Sequence, residues 1–393
     1  MVAIAVLIAV RVLAVDSALH SGNAKADGSM LRYDARRYHA IAESHGRPYR
    51  DFEVEFPPVT LAAIEATNGS TVTATMSHLA WSQVVADLLV AAALAYGWGR
   101  RHAIAYLVLG VPFLIYPFVY LRIDLFSVAL AVSALALVRR GREASGGALL
   151  AAAVLAKLWP LALVPLLVVE RRVRALVAWC ATSVVGLALW VAWGGTDGPV
   201  QVLTFRGARG WQIESVAGAL VRTLGGAPIF YDAGAMRTGD VPAWARALLG
   251  LGLLSVVAGA WYLAWRRRDA RSPSTYAVAS LTAVGAFLVF SPILSPQYLI
   301  WLLPFAAIAA VDGERRPALV FSIAWLLTLS YVINGKKLFE FDAATKLIVL
   351  GRNGCLVGLV ALGLYLLWSP RSADAGRGRG SGTAGRGADV TVR

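Results

Sequence analysis

Residues 146–169 read GGALLAAAVLAKLWPLALVPLLVV, an apolar run of 24 residues that is broken near its middle by Lys157-Leu158-Trp159-Pro160. A helix that spans a membrane needs about 20 apolar residues, and a proline in its interior interrupts it. Basic residues flank both ends of the run, and basic loops stay in the cytoplasm. The flanking residues are Arg139, Arg140, Arg142, Arg171, Arg172 and Arg174. Two short helices that enter the membrane and return therefore explain the run better than one span.

The composition of the whole chain also indicates a membrane protein. Of its 393 residues, 58% are hydrophobic and only 15% are charged. A soluble domain of this size needs more charge on its surface, so a soluble enzyme, a coiled coil and a disordered chain are excluded. Both cysteines lie in apolar runs and provide no disulfide framework. The sequence predicts an all-α polytopic integral membrane protein.

Further apolar runs bring the expected total to about twelve transmembrane helices or half-helices. The long candidates are residues 79–97, 103–121, 174–194, 244–265, 274–291, 317–334 and 345–368. The shorter candidates are residues 1–15, 123–138 and 297–311. No basic segment precedes the first of these and no small-residue cleavage site follows it, so we expect an uncleaved helix.

Charge predicts the orientation of these helices. The short loops 100–101, 139–143, 170–174 and 266–271 each carry a net positive charge. The two long loops, residues 16–78 and 195–243, carry no positive excess. Both termini are therefore predicted to be cytoplasmic, with the long loops outside, in a multi-pass protein of the plasma membrane. The net charge of +14 then reflects topology and contacts with membrane lipids, and no nucleic acid partner is expected.

The chain is expected to divide into two parts. Residues 1–368 would form one transmembrane domain that includes both outer loops. Residues 369–393 are rich in Gly and Arg and of low complexity, which predicts a disordered, basic, cytoplasmic tail.

The first outer loop carries the polar groups best suited to chemistry. Apolar positions recur at helical spacing between Tyr33 and Glu43, and Gly46 and Pro48 end that helix. Asp34 then lies near the start of a helix that follows the first membrane span. A carboxylate there can act as a general base towards a hydroxyl group. The alternative, which composition alone favours, is a charge that stabilises the helix through its dipole.

Motifs in this loop resemble those of glycosyltransferase family 87. They are Tyr33-Asp34, Tyr38, Gly46-x-Pro48-Tyr49-x-Asp51 and Glu55-Phe56-Pro57-Pro58. The resemblance continues in the same order with Arg122-Ile123-Asp124, Lys157-Leu158-Trp159-Pro160, Arg209–Ser215 and Ser295–Pro304. It covers residues 1–368 and implies a polyprenyl-phosphate-sugar-dependent enzyme with the GT-C membrane fold.

The resemblance also implies roles for individual residues. GT-C enzymes carry an acidic residue in the first outer loop as catalytic base, and Asp34 matches it. The residues expected to contact the acceptor or to shape the loop are Tyr38, Tyr49, Asp51 and Glu55. A lipid-phosphate donor needs cations and hydrogen-bonding groups near the outer leaflet. The residues expected to bind its phosphate or sugar are Arg122, Lys157, Arg206, Arg209, Gln212, Glu214, Gln297 and Arg352, with Lys336 and Lys337 as further available cations.

Several of these assignments have a structural alternative. Arg352 lies in an apolar run, where a charge marks a functional site by default, but an internal pair with Asp124 or Glu214 would also explain it. Lys157 could bond the carbonyl groups of the broken helix. Residues 206–214 could form an interfacial segment with aromatic anchors. Gln297 stands where some mannosyltransferase relatives carry histidine, which leaves the sugar and the acceptor open.

The sequence thus predicts a membrane glycosyltransferase. It would transfer a hexose, with mannose preferred, from a polyprenyl-phosphate-sugar to a lipid or glycan acceptor on the outer face, with inversion. No cofactor and no metal are expected, because the histidines form no cluster and no Walker A loop is present. A secondary transporter or lipid-sugar flippase shares the many spans and intramembrane charges. An arabinofuranosyl or glucosyl transferase of the same fold differs only in its donor.

Overall fold

The computed structural model describes residues 2–21, 30–205, 208–232, 234–267, 274–333 and 341–369. Within these ranges the predicted all-α fold is confirmed. The helices up to the second outer loop are α1 Val2–His20, α2 Met30–Ala42, α3 Pro58–Thr67, α4 Val72–Gly97, α5 Arg100–Leu109, α6 Asp124–Arg139, α7 Glu143–Ala156, α8 Pro165–Val169 and α9 Val173–Gly194. The later helices are α10 Asp197–Thr204, α11 Val216–Gly225, α12 Ala243–Arg266, α13 Ser274–Val289, α14 Leu303–Val311, α15 Arg316–Ile333 and α16 Ala343–Trp368. Beyond Ser369 the predicted tail lies outside the described residues.

The described residues include six helices that are long and apolar enough to cross a membrane. They are α1, α4, α9, α12, α15 and α16. Shorter apolar helices lie between them, so the chain is a multi-pass membrane protein, although the expected total of twelve is not confirmed. Only 11% of the apolar window of α9 and 17% of that of α12 are buried within the protein. These two helices therefore turn most of their surface towards lipid.

The core forms around α13 and α14, which are buried on nearly every side. Their small residues allow neighbouring helices to approach closely. For example, a Cβ atom added at Gly363 of α16 would lie 3.1 Å from the Cβ atom of Thr282 in α13. Without a hydrophobic driving force between helices in lipid, such close packing contributes much of their association.

The predicted hairpin of two short helices is present. Helix α7 ends at Ala156, and a 3₁₀ helix, Trp159–Leu163, leads directly into the short α8. The two ends of the segment meet, because a guanidinium nitrogen of Arg172 lies 3.3 Å from a carboxylate oxygen of Glu143. The chain therefore returns to the side from which it entered.

The predicted span 103–121 is wrong. Helix α5 ends at Leu109, and two 3₁₀ helices follow it, Val111–Leu114 and Phe118–Leu121. Pro112 and Pro117 lack the amide hydrogens that a continuous helix needs, which explains the interruption. The bounds of the first outer loop also differ from the prediction, because α1 continues to His20 and α4 already begins at Val72.

The second outer loop contains a small antiparallel sheet that was not predicted from the sequence. Its strands are β1 Trp211–Gln212, β2 Ile229–Asp232 and β3 Ala235–Thr238, and β3 is the central strand. The backbone amide of Gln212 donates to the carbonyl of Pro292 at 3.1 Å. The sheet therefore holds this loop against the segment that follows α13.

A buried ion pair between α1 and α4 was also not predicted from the sequence. Arg11 Nε lies 2.7 Å from Asp87 Oδ2, and both side chains are almost completely buried. The hydroxyls of Tyr106 and Tyr120 donate to the same carboxylate, and Arg11 also donates to the carbonyl of Leu107 at 2.8 Å. A buried charge is costly unless it is paired and hydrogen-bonded, so this cluster connects α1 specifically to α4 and α5.

Candidate active site

A cavity of about 380 Å³ lies between the two outer loops, the tip of the α7–α8 hairpin and the segment after α13. It brings together residues that are distant in the sequence and that the motifs singled out. The predicted site residues that line it are Asp34, Tyr38, Glu55, Arg122, Lys157, Gln212, Glu214 and Gln297. We call this space the central cavity.

Asp34 projects from the first turns of α2 into the central cavity. Its Oδ2 atom lies 3.0 Å from Arg122 Nε, and its side chain is 18% exposed. The hydroxyl of Tyr38, one turn further along the helix, is 3.5 Å from the same oxygen, which is long for a hydrogen bond. Burial raises the pKa of Asp34 above its usual value, and the positive charge of Arg122 opposes part of this rise. A carboxylate with a raised pKa at a cavity wall can accept a proton from a bound hydroxyl.

Lys157 stands at the tip of the hairpin, where the backbone is extended after α7. Its ammonium group forms an ion pair with Asp124 at the start of α6. The same nitrogen lies 4.7 Å from the ring centroid of Tyr298 and 5.2 Å from that of Trp301. Lys157 therefore bonds a carboxylate and faces two aromatic rings, and it does not serve the carbonyl groups of the broken helix.

Stacked aromatic rings form one wall of the central cavity. Trp301 stacks on Tyr298 with ring centroids 4.3 Å apart and on Trp159 at 5.5 Å. The indole nitrogens are satisfied, since Trp159 donates to Ser127 and Trp301 to Asp124, each at 3.0 Å. The motifs contained these rings, but sequence spacing alone did not indicate that they stack. Trp159 and Trp301 are almost completely buried, so the half-buried Tyr298 is the ring of this stack that offers part of its face to a sugar or a prenyl unit.

Gln212 of β1 and Glu214, which follows that strand, also line the central cavity. Gln212 Nε2 donates to a carboxylate oxygen of Glu214 at 3.0 Å and to the hydroxyl of Ser295 at 3.2 Å, and its Oε1 accepts from the amide of Leu294 at 3.0 Å. Burial raises the pKa of Glu214, and the charge of Arg352 opposes this effect. Gln297 is half-buried and lines the cavity nearby. Both amide hydrogens of Gln212 are used within the protein, so Gln212 and Glu214 offer acceptor oxygens to a hydroxyl, whereas Gln297 carries both a donor and an acceptor.

Two contacts connect the outer parts of the cavity. The guanidinium of Arg37 in α2 donates to both carboxylate oxygens of Glu55. The hydrogen bond from Arg37 Nε to Glu55 Oε1 measures 2.8 Å. The hydroxyls of Tyr33 on α2 and Tyr231 on β2 are in direct contact. The first contact closes the first outer loop on itself, and the second joins the two outer loops at the mouth of the cavity.

Tyr49 and Asp51 do not line the central cavity but shape the loop beside it. Tyr49 has a left-handed backbone, with φ of 70°, and its buried ring packs between Trp190 and Trp193. Asp51 accepts a hydrogen bond of 2.6 Å from the backbone amide of Arg47. These contacts fix the shape of the loop, and a role of Tyr49 or Asp51 towards the acceptor stays a prediction.

The structure brings neither Arg209 nor Arg352 into the cavity wall. Arg209 is exposed, and its backbone amide donates to Asp232 at 2.8 Å. Arg352 is completely buried in α16, where its guanidinium donates to the backbone carbonyl of Glu214 at 2.7 Å. Arg352 therefore contacts the backbone of Glu214 inside the protein, and Arg122 and Lys157 are the members of the predicted donor-binding set whose positive charges line the central cavity. The predicted Arg206 and the available cations Lys336 and Lys337 lie outside the described residues.

The chain also resembles known proteins. It matches the sequence model of glycosyltransferase family 87 over residues 56–292, which include Arg122, Lys157 and Gln212 but not Asp34. No curated protein sequence matches the chain. Among solved structures, the crystal structure of ArnT from Cupriavidus metallidurans in the apo state is similar, with 16% sequence identity, coverage of 86% of this chain and 72% of that chain, and a TM-score of 0.44. Because the family match extends over more than half of the chain, the protein is a member of glycosyltransferase family 87.

Proposed function

We propose that this protein transfers a hexose from a polyprenyl-phosphate-sugar to a hydroxyl of a lipid or glycan acceptor on the outer face of the plasma membrane. Mannose is the proposed sugar, on the strength of the motifs that resemble family 87 mannosyltransferases. Asp34 is the proposed catalytic base. The observation that carries the proposal is the carboxylate of Asp34 beside Arg122 in a cavity that also holds Lys157 and an aromatic wall.

The proposed reaction is a single displacement at the anomeric carbon. Asp34 takes the proton of the acceptor hydroxyl as its oxygen attacks, and the bond to the phosphate oxygen breaks on the opposite side of the ring. The polyprenyl phosphate leaves with the bonding electron pair. A β-linked donor thereby becomes an α-linked product.

Two cations that line the central cavity would hold the phosphate. Arg122 and Lys157 now pair with Asp34 and Asp124, so each lies between a carboxylate and open space. Charge-assisted hydrogen bonds from such groups to phosphate oxygens are stronger than neutral ones. Gln212, Glu214 and Gln297 would then bond the sugar hydroxyls, and Tyr298, which stacks on the buried Trp301, would face the ring or the first prenyl unit. Arg209 and Arg352 remain predicted donor ligands without support from the cavity geometry.

The test is sugar transfer by the purified protein in lipid vesicles. Decaprenyl phosphates that carry radiolabelled mannose, glucose or arabinose are offered separately, with extracted membrane lipids and glycans as acceptors. We expect a labelled product from the mannose donor, formed about 10²–10⁴-fold more slowly by the Asp34→Asn variant. Movement of the donor across the bilayer without a new glycosidic bond would instead identify a flippase. Transfer from the arabinose or glucose donor alone would reassign the sugar.

A further inference from the structure

A second depression lies on the outer surface beside the central cavity. It has a volume of about 420 Å³ and is lined by Tyr33, Arg36, Arg37, Ala40, Ile41, Ser44, Phe52 and Glu53. We call it the α2 groove. Tyr33, Arg36 and Arg37 also line the central cavity, so the two spaces are neighbours along one helix.

The helical repeat of α2 places the groove and the proposed base on adjacent stripes. Tyr33, Arg37 and Ala40 are three or four residues apart, which brings them to one face of the helix that borders the groove. Asp34 and Tyr38 form the next stripe and face the central cavity. Tyr33 and Arg37 border both spaces, so the groove lies beside the cavity into which Asp34 projects.

The groove combines aromatic faces with hydrogen-bonding groups of both kinds. Tyr33 is 40% exposed and Phe52 is half-buried, so both rings offer part of a face. Arg36, Ser44 and Glu53 are exposed, and they supply donors and acceptors.

The charges of the groove distinguish between classes of ligand. Arg37 is paired with Glu55, and the groove is lined in addition by one further positive side chain, Arg36, and one negative side chain, Glu53. A phosphate or carboxylate ligand would meet the carboxylate of Glu53, whereas a neutral polyhydroxylated ring uses donors, acceptors and aromatic faces together. This combination favours a neutral sugar.

We propose that the α2 groove binds a sugar ring of the acceptor one position away from the ring that reacts. The inference rests on the proposed function and narrows the acceptor from a lipid or glycan to a glycan of at least two sugars. The groove then sets the preference for acceptor length, and the central cavity carries out the transfer.

The experiment compares two acceptor probes, octyl mannoside and octyl mannobioside, with the protein in lipid nanodiscs. Ala40→Trp fills the groove from an exposed helix position, and Glu53→Ala is a milder variant in the same groove. Ala66→Trp is the control, because Ala66 is an exposed alanine of α3 that lines neither space.

We expect the wild-type protein to have a kcat/KM about tenfold higher for the disaccharide probe than for the monosaccharide probe. A tenfold ratio corresponds to about 1.4 kcal/mol. Ala40→Trp abolishes this preference and Glu53→Ala reduces it, whereas turnover of the monosaccharide and the KM for donor stay unchanged. Ala66→Trp keeps the preference. An equal preference in wild-type and Ala40→Trp proteins would overturn the inference.

A binding measurement separates this inference from the proposed reaction. Saturation-transfer NMR without donor should show both rings of octyl mannobioside in contact with the wild-type protein and only one ring with Ala40→Trp. If both rings make contact but no sugar is ever transferred, the proposed function fails and the groove stands. If sugar is transferred but only one ring makes contact, the groove assignment fails alone.

Discussion

Asp34 differs from the other carboxylates of the first outer loop in its surroundings. Asp51 accepts a hydrogen bond from a turn, Glu53 is exposed, and Glu55 is paired through both oxygens with Arg37. Asp34 lines the central cavity, and one of its two carboxylate oxygens lies next to the guanidinium of Arg122. Its neighbours hold it in place without enclosing it, which is what a group that exchanges protons with a ligand requires.

The substitution Asp34→Asn therefore tests the mechanism most directly. It preserves shape and removes basicity, so we expect kcat to fall by about 10²–10⁴-fold. Expression and the KM for donor should change little, because the amide still fits beside Arg122. The measurement is steady-state transfer with a fixed acceptor, together with the yield of folded protein.

Asp51→Asn is the matched control, since it makes the same chemical change in the same loop. We expect it to keep much more activity than Asp34→Asn, because Asp51 lies outside the central cavity. A folded Asp34→Asn protein with near-wild-type turnover would remove the proposed base.

The pH dependence of transfer should report the environment of Asp34. Only the deprotonated carboxylate can accept a proton, so the rate falls as the pH drops through its pKa. Burial raises this pKa and Arg122 lowers it. The quantity to measure is kcat/KM for the acceptor at saturating donor. As the pH is lowered, we expect it to fall at a pH above the ordinary range of aspartate pKa values. The variant Arg122→Gln should move this acidic limb to higher pH.

Arg209→Gln is the control for the charge effect, because Arg209 is an exposed arginine away from the cavity wall. It should leave the acidic limb in place. A limb that moves equally in both variants would show that overall charge, and not contact with Asp34, sets the pKa.

The sequence motifs indicated which residues lie close together in the central cavity. They did not indicate the direction in which each side chain points. Asp34, Arg122 and Lys157 lie together as the order of motifs indicated. For Arg352 the sequence left donor binding and an internal pair with Asp124 or Glu214 both open, because a residue in an apolar run carries no sign of which neighbour it meets. Its placement behind Glu214 depends on the packing of α16 against the second outer loop.

At the scale of elements, the tip of the hairpin is the point where an interrupted helix reaches the start of α6. Lys157→Met leaves the buried carboxylate of Asp124 without its positively charged partner, which destabilises the protein by about 3–5 kcal/mol. It also removes a proposed phosphate ligand, which should raise the KM for donor by about tenfold or more. Thermal unfolding in detergent and donor titrations measure the two effects.

The double variant Lys157→Met/Asp124→Asn separates these two roles. It removes both charges, so stability should largely recover while the KM for donor stays high. Recovery of donor binding together with stability would mean that Lys157 serves only to neutralise Asp124.

Element prediction succeeded where a local signal was strong. The break after Ala156 was visible because a lysine and a proline interrupt an apolar run with basic flanks. The two 3₁₀ helices within 111–121 were missed because the residues of this stretch are as apolar on average as those of a membrane-spanning helix. Strand β1 has only two residues, too few for any periodicity, and it is held by pairing with β3.

At the scale of the whole molecule, the distribution of charge predicts the orientation in the membrane. We expect the loops between α1 and α4 and between α9 and α12 to lie outside, and residues 139–143, 266–272 and 370–393 inside. In a background without Cys180 and Cys355, Ser70→Cys should react with an impermeant maleimide in intact cells. Arg140→Cys should react only after permeabilisation, and labelling of Arg140→Cys from outside would reverse the assignment.

The size of the central cavity has a consequence for how such an enzyme meets its donor. A volume of about 380 Å³ accommodates a small ligand, not a chain of many isoprene units. With the proposed donor, the sugar phosphate enters and the chain remains among the lipids. Encounter is then diffusion in two dimensions, and the rate follows the mole fraction of donor in the bilayer. Diluting a fixed amount of donor with phospholipid should slow transfer, even though its concentration per volume of suspension is unchanged.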